Sequence, residues 1–200
     1  MSPVISAILC LIIGYLLGSI SVGVIYSKSL GRDIRTAGSK NSGATNMTRI
    51  HGMLPGLITF AGDSLKGVIA ALIGRWIFGL PGAMLAGMAV LIGHCWPVFF
   101  GFRGGKGVAT CIGAGMTVFP LYGAIAIASG IIVILVSKFV SLGSMIGVTL
   151  FAILVTIFLG FWPVGLWAIW MDFLIIWRHR ENIKRLLSGT ERKITDKEKK

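Results

Sequence analysis

Long apolar stretches alternate with short polar segments along most of the chain. Seven stretches qualify, at 4–27, 54–80, 83–100, 107–119, 121–137, 141–159 and 163–177. A helix needs about 20 mostly apolar residues to cross the hydrocarbon core of a bilayer. The pattern therefore predicts an all-α polytopic membrane protein with about seven transmembrane helices. The 107–119 stretch is short and could be re-entrant, so a count of five or six crossings stays open.

Composition agrees with a membrane protein. Of the 200 residues, 55% are hydrophobic and 13% are charged, whereas a soluble domain carries roughly a quarter charged residues. The net charge of +12 lies in short segments between the apolar stretches, which argues against a nucleic-acid partner. The three cysteines form no disulfide framework, and the first apolar stretch lacks the basic start of a cleaved signal peptide.

The basic segments also predict an orientation. With seven crossings, the segments 27–53 and 101–106, Lys138 and the tail from Arg178 all fall on one side of the membrane. Basic loops face the cytoplasm, so we expect the N-terminus outside and the C-terminus inside. We expect residues 1–190 to form a single integral membrane domain and 191–200 to be a basic, disordered tail. The small-xxx-small spacings Gly14–Gly18 and Gly143–Gly147 predict close helix packing.

A glycine-rich cationic segment, FRGGKGVAT, spans 102–110. Its glycines leave backbone N–H groups accessible, while Arg103 and Lys106 add positive charge, and phosphate is the guest that suits such a loop. The alternative is a flexible turn with positive-inside charges. The segment is not a Walker loop, because Gly107 follows Lys106 where that motif has Ser or Thr.

Two further polar segments carry candidate chemistry. The segment GSKNSGATNMTR at 38–49 is rich in hydroxyls and amides that can bind sugar-like hydroxyls and phosphate oxygens, although it could be an ordinary polar loop. In RHRENIKRLLSGTE at 178–191, His179 and Asn182 share one helix face; the alternative is a basic membrane-exit helix. His51 and His94 are expected to be loop or packing residues, and no metal-ligand spacing is present.

Ionisable residues also fall inside the apolar stretches. Asp63 and Lys66 are three residues apart in the second stretch. Such residues are costly in a membrane and often functional, so they either support the binding pocket or pair with each other for structure alone. Asp172 lies two helical turns before His179, and it either faces the same site or anchors the helix bundle.

Taken together, these segments resemble the bacterial membrane acyl-phosphate:glycerol-3-phosphate acyltransferase family. The resemblance rests on three motifs in order, within 38–49, 93–110 and 179–186, and runs to about residue 191. Arg103 departs from the lysine that the family often has, with the charge kept. The catalytic residues that the resemblance implies are Ser39, Arg49, Lys106, His179 and Asn182. The substrate-binding residues that it implies are Gly38, Asn41, Thr45, Asn46, Arg103, Gly104, Gly105, Gly107 and Thr110.

The resemblance implies that a fatty acyl group moves from acyl phosphate to the 1-hydroxyl of sn-glycerol 3-phosphate. The products would be lysophosphatidic acid and phosphate, in the first step of phospholipid synthesis. It implies a seven-helix fold in the bacterial cytoplasmic membrane, with the active site on the cytoplasmic side. It also implies that the enzyme works as a monomer and needs neither a cofactor nor a metal. The proton acceptor is either His179 or a substrate phosphate oxygen. The rival hypothesis is a transporter or channel for organic phosphates, which the nearly charge-free outer half disfavours.

Overall fold

The computed structural model describes residues 1–196, which form nine α-helices and no β-strand. The helices are α1 (Pro3–Ser19), α2 (Val22–Ser29), α3 (Ala44–His51), α4 (Met53–Cys95), α5 (Val108–Val118), α6 (Pro120–Ser137), α7 (Val140–Leu159), α8 (Leu166–Arg178) and α9 (Arg180–Leu187). Short 3₁₀ turns occupy Ile34–Thr36 and Val98–Phe100, and a π turn occupies Phe161–Gly165. The predicted all-α class is confirmed.

Within the described residues, four helical segments are long and apolar enough to cross a membrane. They are Pro3–Ser29, Met53–Phe100, Pro120–Ser137 and Val140–Leu159, and Val108–Val118 is a shorter apolar helix. The number of crossings and the sides on which the termini lie stay predictions.

A sharp turn divides α4 into two halves. At about 1.5 Å per residue, its 43 residues would extend roughly 65 Å as a straight helix, about twice the thickness of a bilayer core. The helical geometry breaks at Phe78 and Gly79, where Gly79 has a φ of 61°, a left-handed conformation that glycine adopts without steric cost. Gly74 and Gly82 then approach so closely that a Cβ on either would overlap the carbonyl of the other. The turn separates the stretches predicted at 54–80 and 83–100.

The first compact unit, Met1–Val118, contains α1 to α5. Helix α4 packs against both α1 and α5. Gly14 and Gly18 allow α1 to lie directly on the backbone of Ala86 and Val90, which confirms the close packing that their spacing predicts. The buried side chains of Cys10, Ala70, Ala86 and Val90 form a core cluster there, and this packed frame carries the two loops described below.

The second compact unit, described over 119–196, contains α6 to α9. Helices α6 and α7 meet through Gly130 and Gly143, as the Gly143–Gly147 spacing predicts. The rings of Phe151 and Trp167 join α7 to α8 edge to face, with centroids 6.1 Å apart. The single-domain organisation and the disordered tail stay predictions, and residues 197–200 of that tail lie outside the described residues.

Candidate active site

The polar loop 38–49 is folded around the side chain of Asn46. Its Nδ2 donates to the carbonyl oxygens of Ile34, Ala37 and Asn41 at 3.2, 3.1 and 2.9 Å. Its Oδ1 accepts from the backbone N–H of Ser39 at 2.9 Å. Asn46 is 2% exposed, so both ends of its amide are used to hold the loop. The predicted contact of Asn46 with substrate stays a prediction.

The rest of the polar loop presents the other predicted residues at or near the surface. Gly38 has a φ of 58° and lies against Asn46, where a side chain would overlap the amide oxygen. Ser39 next to it is exposed, and Thr45 and Arg49 on α3 are half-buried. Thr45 and Arg49 are four residues apart, so they lie on one helix face.

Asn41 shapes the entry into α3. Its Oδ1 accepts from the N–H of Gly43 at 2.9 Å, which turns the chain into the helix. The polar loop therefore has the hydroxyls of Ser39 and Thr45, the amide of Asn41 and the guanidinium of Arg49 at or near the surface, around the start and one face of a short helix.

The glycine-rich loop 102–110 lies tightly on the end of α4. The N–H of Gly105 donates to His94 O at 3.1 Å, and a Cβ on Gly105 would overlap the His94 ring. Gly107 has a φ of 90°, and a side chain there would overlap Leu91. Two glycines are thus required by close approach and backbone conformation, and Lys106 between them is half-buried.

The flanking residues of this loop differ in exposure. Arg103 is exposed, as a guanidinium available to phosphate must be. Thr110, by contrast, is fully buried in the first turn of α5, where its carbonyl lies against Gly67. Its role as a substrate-binding residue stays a prediction.

Arg35 links the segments that lead into the two loops. Its Nη1 donates to Phe100 O at 2.7 Å, and Phe100 packs against the buried cluster of Val24, Ile34 and Met47 beneath the polar loop. The first two predicted clusters therefore lie in one compact unit, with the segments that lead into them in contact.

Arg35 is itself held by Asp33. The Arg35 Nε and Nη2 donate to the carboxylate at 3.0 and 2.8 Å. The hydrogen bonds from the Arg35 side chain lower the pKa of Asp33 to about 2, so this carboxylate is ionised at neutral pH. Sequence reasoning missed this pair; the signal was that Asp33 is the only acidic residue in a basic segment.

Asp63, Lys66 and His94 form a buried ionisable group behind the glycine-rich loop. Lys66 Nζ lies 2.8 Å from Asp63 Oδ1, and His94 Nδ1 lies 3.5 Å from the same oxygen. Asp63 and Lys66 therefore form the ion pair that was one of the two alternatives, and a role in supporting the pocket stays a prediction. Sequence reasoning placed His94 among loop or packing residues and missed its approach to Asp63.

The third cluster lies in the second unit, where α8 ends and α9 begins. His179 occupies the junction and is buried, and its Nδ1 lies 2.8 Å from Ile175 O. A carbonyl oxygen can only accept, so Nδ1 carries the proton and Nε2 carries the lone pair of the neutral ring. The N–H of Asn182 donates to His179 O at 2.8 Å, which keeps the two predicted residues adjacent.

Glu191 ties this third cluster together. Its Oε1 accepts from Asn182 Nδ2 at 2.6 Å and from Ser141 Oγ at 2.7 Å. Its Oε2 accepts from Arg185 Nε at 2.7 Å. Burial raises the pKa of Glu191, but these three hydrogen bonds outweigh burial and leave the pKa below its usual value. Sequence reasoning assigned Glu191 to the tail, although the resemblance ended at this residue.

Asp172 makes a separate contact in the same unit. Its Oδ1 accepts from Thr149 Oγ1 at 2.9 Å, so it ties α8 to α7. This contact favours the bundle-anchoring role over a place in the site. Across residues 1–196, no group of three or more His, Cys, Asp and Glu side chains is arranged to hold a metal ion.

The chain matches known proteins over nearly its full length. The family model described as glycerol-3-phosphate acyltransferase matches residues 8–189. A glycerol-3-phosphate acyltransferase of Thermoanaerobacter sp. (strain X514) is 50% identical over 192 residues, which cover 96% of this chain and 97% of the relative. A glycerol-3-phosphate acyltransferase of Clostridioides difficile (strain 630) is 45% identical over 202 residues, which cover 96% of this chain and 97% of the relative.

Solved structures give the same result at the level of the fold. The crystal structure of PlsY, an integral membrane glycerol 3-phosphate acyltransferase in its glycerol 3-phosphate form, superposes with a TM-score of 0.88 at 42% identity, covering 94% of this chain and 95% of that one. Its lysophosphatidic acid form gives a TM-score of 0.85 at 41% identity, with the same coverage. The chain therefore belongs to the glycerol-3-phosphate acyltransferase family.

Proposed function

We propose that this protein transfers a fatty acyl group from acyl phosphate to the 1-hydroxyl of sn-glycerol 3-phosphate. The observation that carries the proposal is the hydrogen bond from Arg35 Nη1 to Phe100 O, because it links the segment that leads into the polar loop to the segment that leads into the cationic glycine-rich loop. Both substrates carry phosphate, and one also carries hydroxyls. Membership of the acyltransferase family supports this reaction over transport of organic phosphates.

The chemistry needs positioning and charge stabilisation more than a covalent enzyme intermediate. Acyl phosphate is a mixed anhydride and is already activated. The 1-hydroxyl oxygen attacks the acyl carbonyl carbon, the bond from that carbon to the phosphate oxygen breaks, and phosphate leaves with the electron pair. Groups that hold both substrates and stabilise the developing charge can supply most of the lowering of the barrier.

We assign phosphate binding to three of the cationic side chains of the first unit, those of Arg49, Arg103 and Lys106. Lys106 is a point charge that lies between two glycines, whereas Arg49 and Arg103 offer planar forks that suit phosphate oxygens. Ser39, at the surface of the polar loop, orients glycerol 3-phosphate. Asn41 assists by holding the turn into α3 through the N–H of Gly43.

His179 and Asn182 orient glycerol 3-phosphate, and the proton of the attacking hydroxyl passes to a phosphate oxygen. The hydrogen bond from His179 Nδ1 to Ile175 O leaves Nε2 as the acceptor of the neutral ring. That geometry suits an acceptor that orients a hydroxyl. It equally suits a general base, so the two roles are separated by the His179 variant discussed below.

The enzyme acts from the cytoplasmic membrane of a bacterium, with the loops at the cytoplasmic side. Support comes from the basic residues of the 27–53 and 101–106 segments, since basic loops stay in the cytoplasm. One chain carries all three motifs, and a monomer is the working unit that we propose. The acyl chain enters from the lipid.

The test is a reaction with purified protein in liposomes. Acyl phosphate and labelled glycerol 3-phosphate are supplied, and labelled lysophosphatidic acid and released phosphate are measured together. We expect equal amounts of the two products. Uptake of labelled glycerol 3-phosphate into the vesicles without any acylated product would contradict the proposal and favour the transporter.

A further inference from the structure

Asp63 and His94 lie on the two halves of α4 and are brought together by the turn at Phe78 and Gly79. Asp63, Lys66 and His94 are all buried. Burial of charged groups in a membrane protein is costly and calls for a specific reason. A carboxylate paired with one ammonium would already be compensated, so the presence of a third group needs its own explanation.

Lys66 has a separate structural role, away from the loops. Its Nζ donates to Gly18 O at 3.0 Å and to Ile20 O at 2.8 Å, which lie at the break between α1 and α2. With Asp63 Oδ1 at 2.8 Å, these acceptors match the three N–H groups of the ammonium. Lys66 therefore fixes the end of α1 and holds Asp63 from one side.

His94 extends the group in the opposite direction, toward the glycine-rich loop. Its Nδ1 lies 3.5 Å from Asp63 Oδ1. The Nε2 edge of the ring lies against the Cα of Gly105, where an added Cβ would overlap it. The backbone oxygen of His94 also accepts from the Gly105 N–H at 3.1 Å. One residue thus contacts Gly105 through both its side chain and its backbone.

We infer that Asp63 acts through His94 as a positioning pair for the phosphate-binding segment Gly104–Gly105–Lys106. The carboxylate faces Nδ1 of the imidazole at 3.5 Å, and the opposite edge of the ring supports the backbone from which Lys106 projects. We assign neither side chain a contact with substrate; their effect is to keep the backbone of this segment and Lys106 in the geometry that binds the donor phosphate. The inference rests on the proposed function, because it assigns the phosphate of acyl phosphate to this loop.

Two variants of His94 separate the two edges of the ring. In His94→Asn, the amide nitrogen can stand where Nδ1 stands and still donate to Asp63, but nothing reaches Gly105. In His94→Gln, the amide nitrogen can stand where Nε2 stands and still support Gly105. We expect His94→Asn to raise the KM for acyl phosphate and the inhibition constant of inorganic phosphate in parallel, by about tenfold. His94→Gln is expected to recover most of that loss.

Asp63→Asn supplies an independent measurement if the histidine variants fold poorly. It leaves the imidazole in place but removes the anionic partner of both His94 and Lys66. We expect a lower Tm together with a raised KM for acyl phosphate. The matched control is Val90→Ala, because Val90 is buried one turn before His94 in the core cluster. Its truncation lowers the Tm through lost packing and leaves both constants unchanged.

The outcomes distinguish this inference from the proposed function. Wild-type turnover of acyl phosphate tests the function, whereas the variants test the positioning. If His94→Asn and Asp63→Asn lose only Tm and keep wild-type values for KM and phosphate inhibition, as Val90→Ala does, the group is structural and the inference is wrong. Equal impairment of His94→Asn and His94→Gln would also overturn the assignment of the Nε2 edge.

Discussion

Asn46→Asp should abolish most activity although it changes only one heavy atom. In the structure, Nδ2 of Asn46 faces three carbonyl oxygens at 2.9 to 3.2 Å, whereas Oδ1 faces one N–H. A carboxylate at this position keeps the acceptor and replaces the donor by a second acceptor. The carbonyls of Ile34, Ala37 and Asn41 would then lose their partner and face a buried negative charge.

The size of the effect follows from the number of bonds. An amide nitrogen has two hydrogens, so three acceptors share about two full hydrogen bonds. Each contributes a net of roughly 1 kcal/mol, and unpaired buried carbonyls cost more. If the ordered conformation of the loop is destabilised by about 2–3 kcal/mol, kcat/KM falls roughly 30- to 150-fold.

The assay compares kcat/KM for glycerol 3-phosphate with thermal unfolding in the same detergent. The core formed by α1, α4 and α5 does not include Asn46, so we expect the Tm to fall by only a few degrees. Thr36→Val is the control, because it removes one exposed hydrogen bond in the same segment, from Thr36 Oγ1 to Asp33 O at 2.8 Å. That variant should stay within about twofold of wild type.

Asn46→Ala completes the series, since it removes the acceptor as well as the donor without adding charge. We expect Asn46→Asp to be impaired at least as strongly as Asn46→Ala. Wild-type kcat/KM in folded Asn46→Asp would refute the reasoning, because it would mean that the three donor contacts do not hold the loop.

Three further predictions concern the roles of single residues and the topology. Lys106→Ala and Arg49→Ala should each reduce turnover by about 30- to 1,000-fold in protein that still folds, because each loses a charge-assisted phosphate contact of roughly 2–4 kcal/mol; near-normal activity in either would count against the phosphate assignment. His179→Asn should raise KM and keep a substantial kcat if the ring only orients substrate; a kcat loss beyond about 1,000-fold at unchanged KM would identify His179 as the base instead. Cysteines placed at Lys40 and Lys184, both exposed, should react with an impermeant reagent only from the cytoplasmic side, and labelling from outside would overturn the orientation.

The sequence predicted the helical class because apolar runs of membrane-spanning length leave few alternatives for the backbone. It also separated the apolar stretches 54–80 and 83–100, and the structure has the turn of α4 close to the boundary between them, at Phe78 and Gly79. The spacing of small residues indicated where helices approach closely, because Gly14 and Gly18 of α1 lie directly against the backbone of α4.

The partners of polar side chains were harder to predict, because they depend on contacts distant in sequence. Nothing near His94 in the chain indicates that Asp63, 31 residues earlier, lies beside it; the fold-back of α4 creates that contact. The same holds for Ser141 and Glu191, which are 50 residues apart. Because Asn46 lies in a polar segment, the sequence suggests a residue that contacts substrate. In the structure its side chain is buried and hydrogen-bonds within the loop instead.

The choice of acyl donor tests the central claim most directly, namely that the cationic loop of the first unit binds the phosphate of the donor. Rates of acylation of glycerol 3-phosphate are compared side by side for acyl phosphate, acyl-CoA and an acyl carrier protein thioester of the same chain length, each with and without EDTA. A thioester carbonyl bears no phosphate for Lys106 and the neighbouring N–H groups to hold, so positioning fails even though the acyl chain fits. We predict product with acyl phosphate alone, at a rate that EDTA leaves unchanged. Comparable rates with either thioester, or loss of activity in EDTA, would contradict the account.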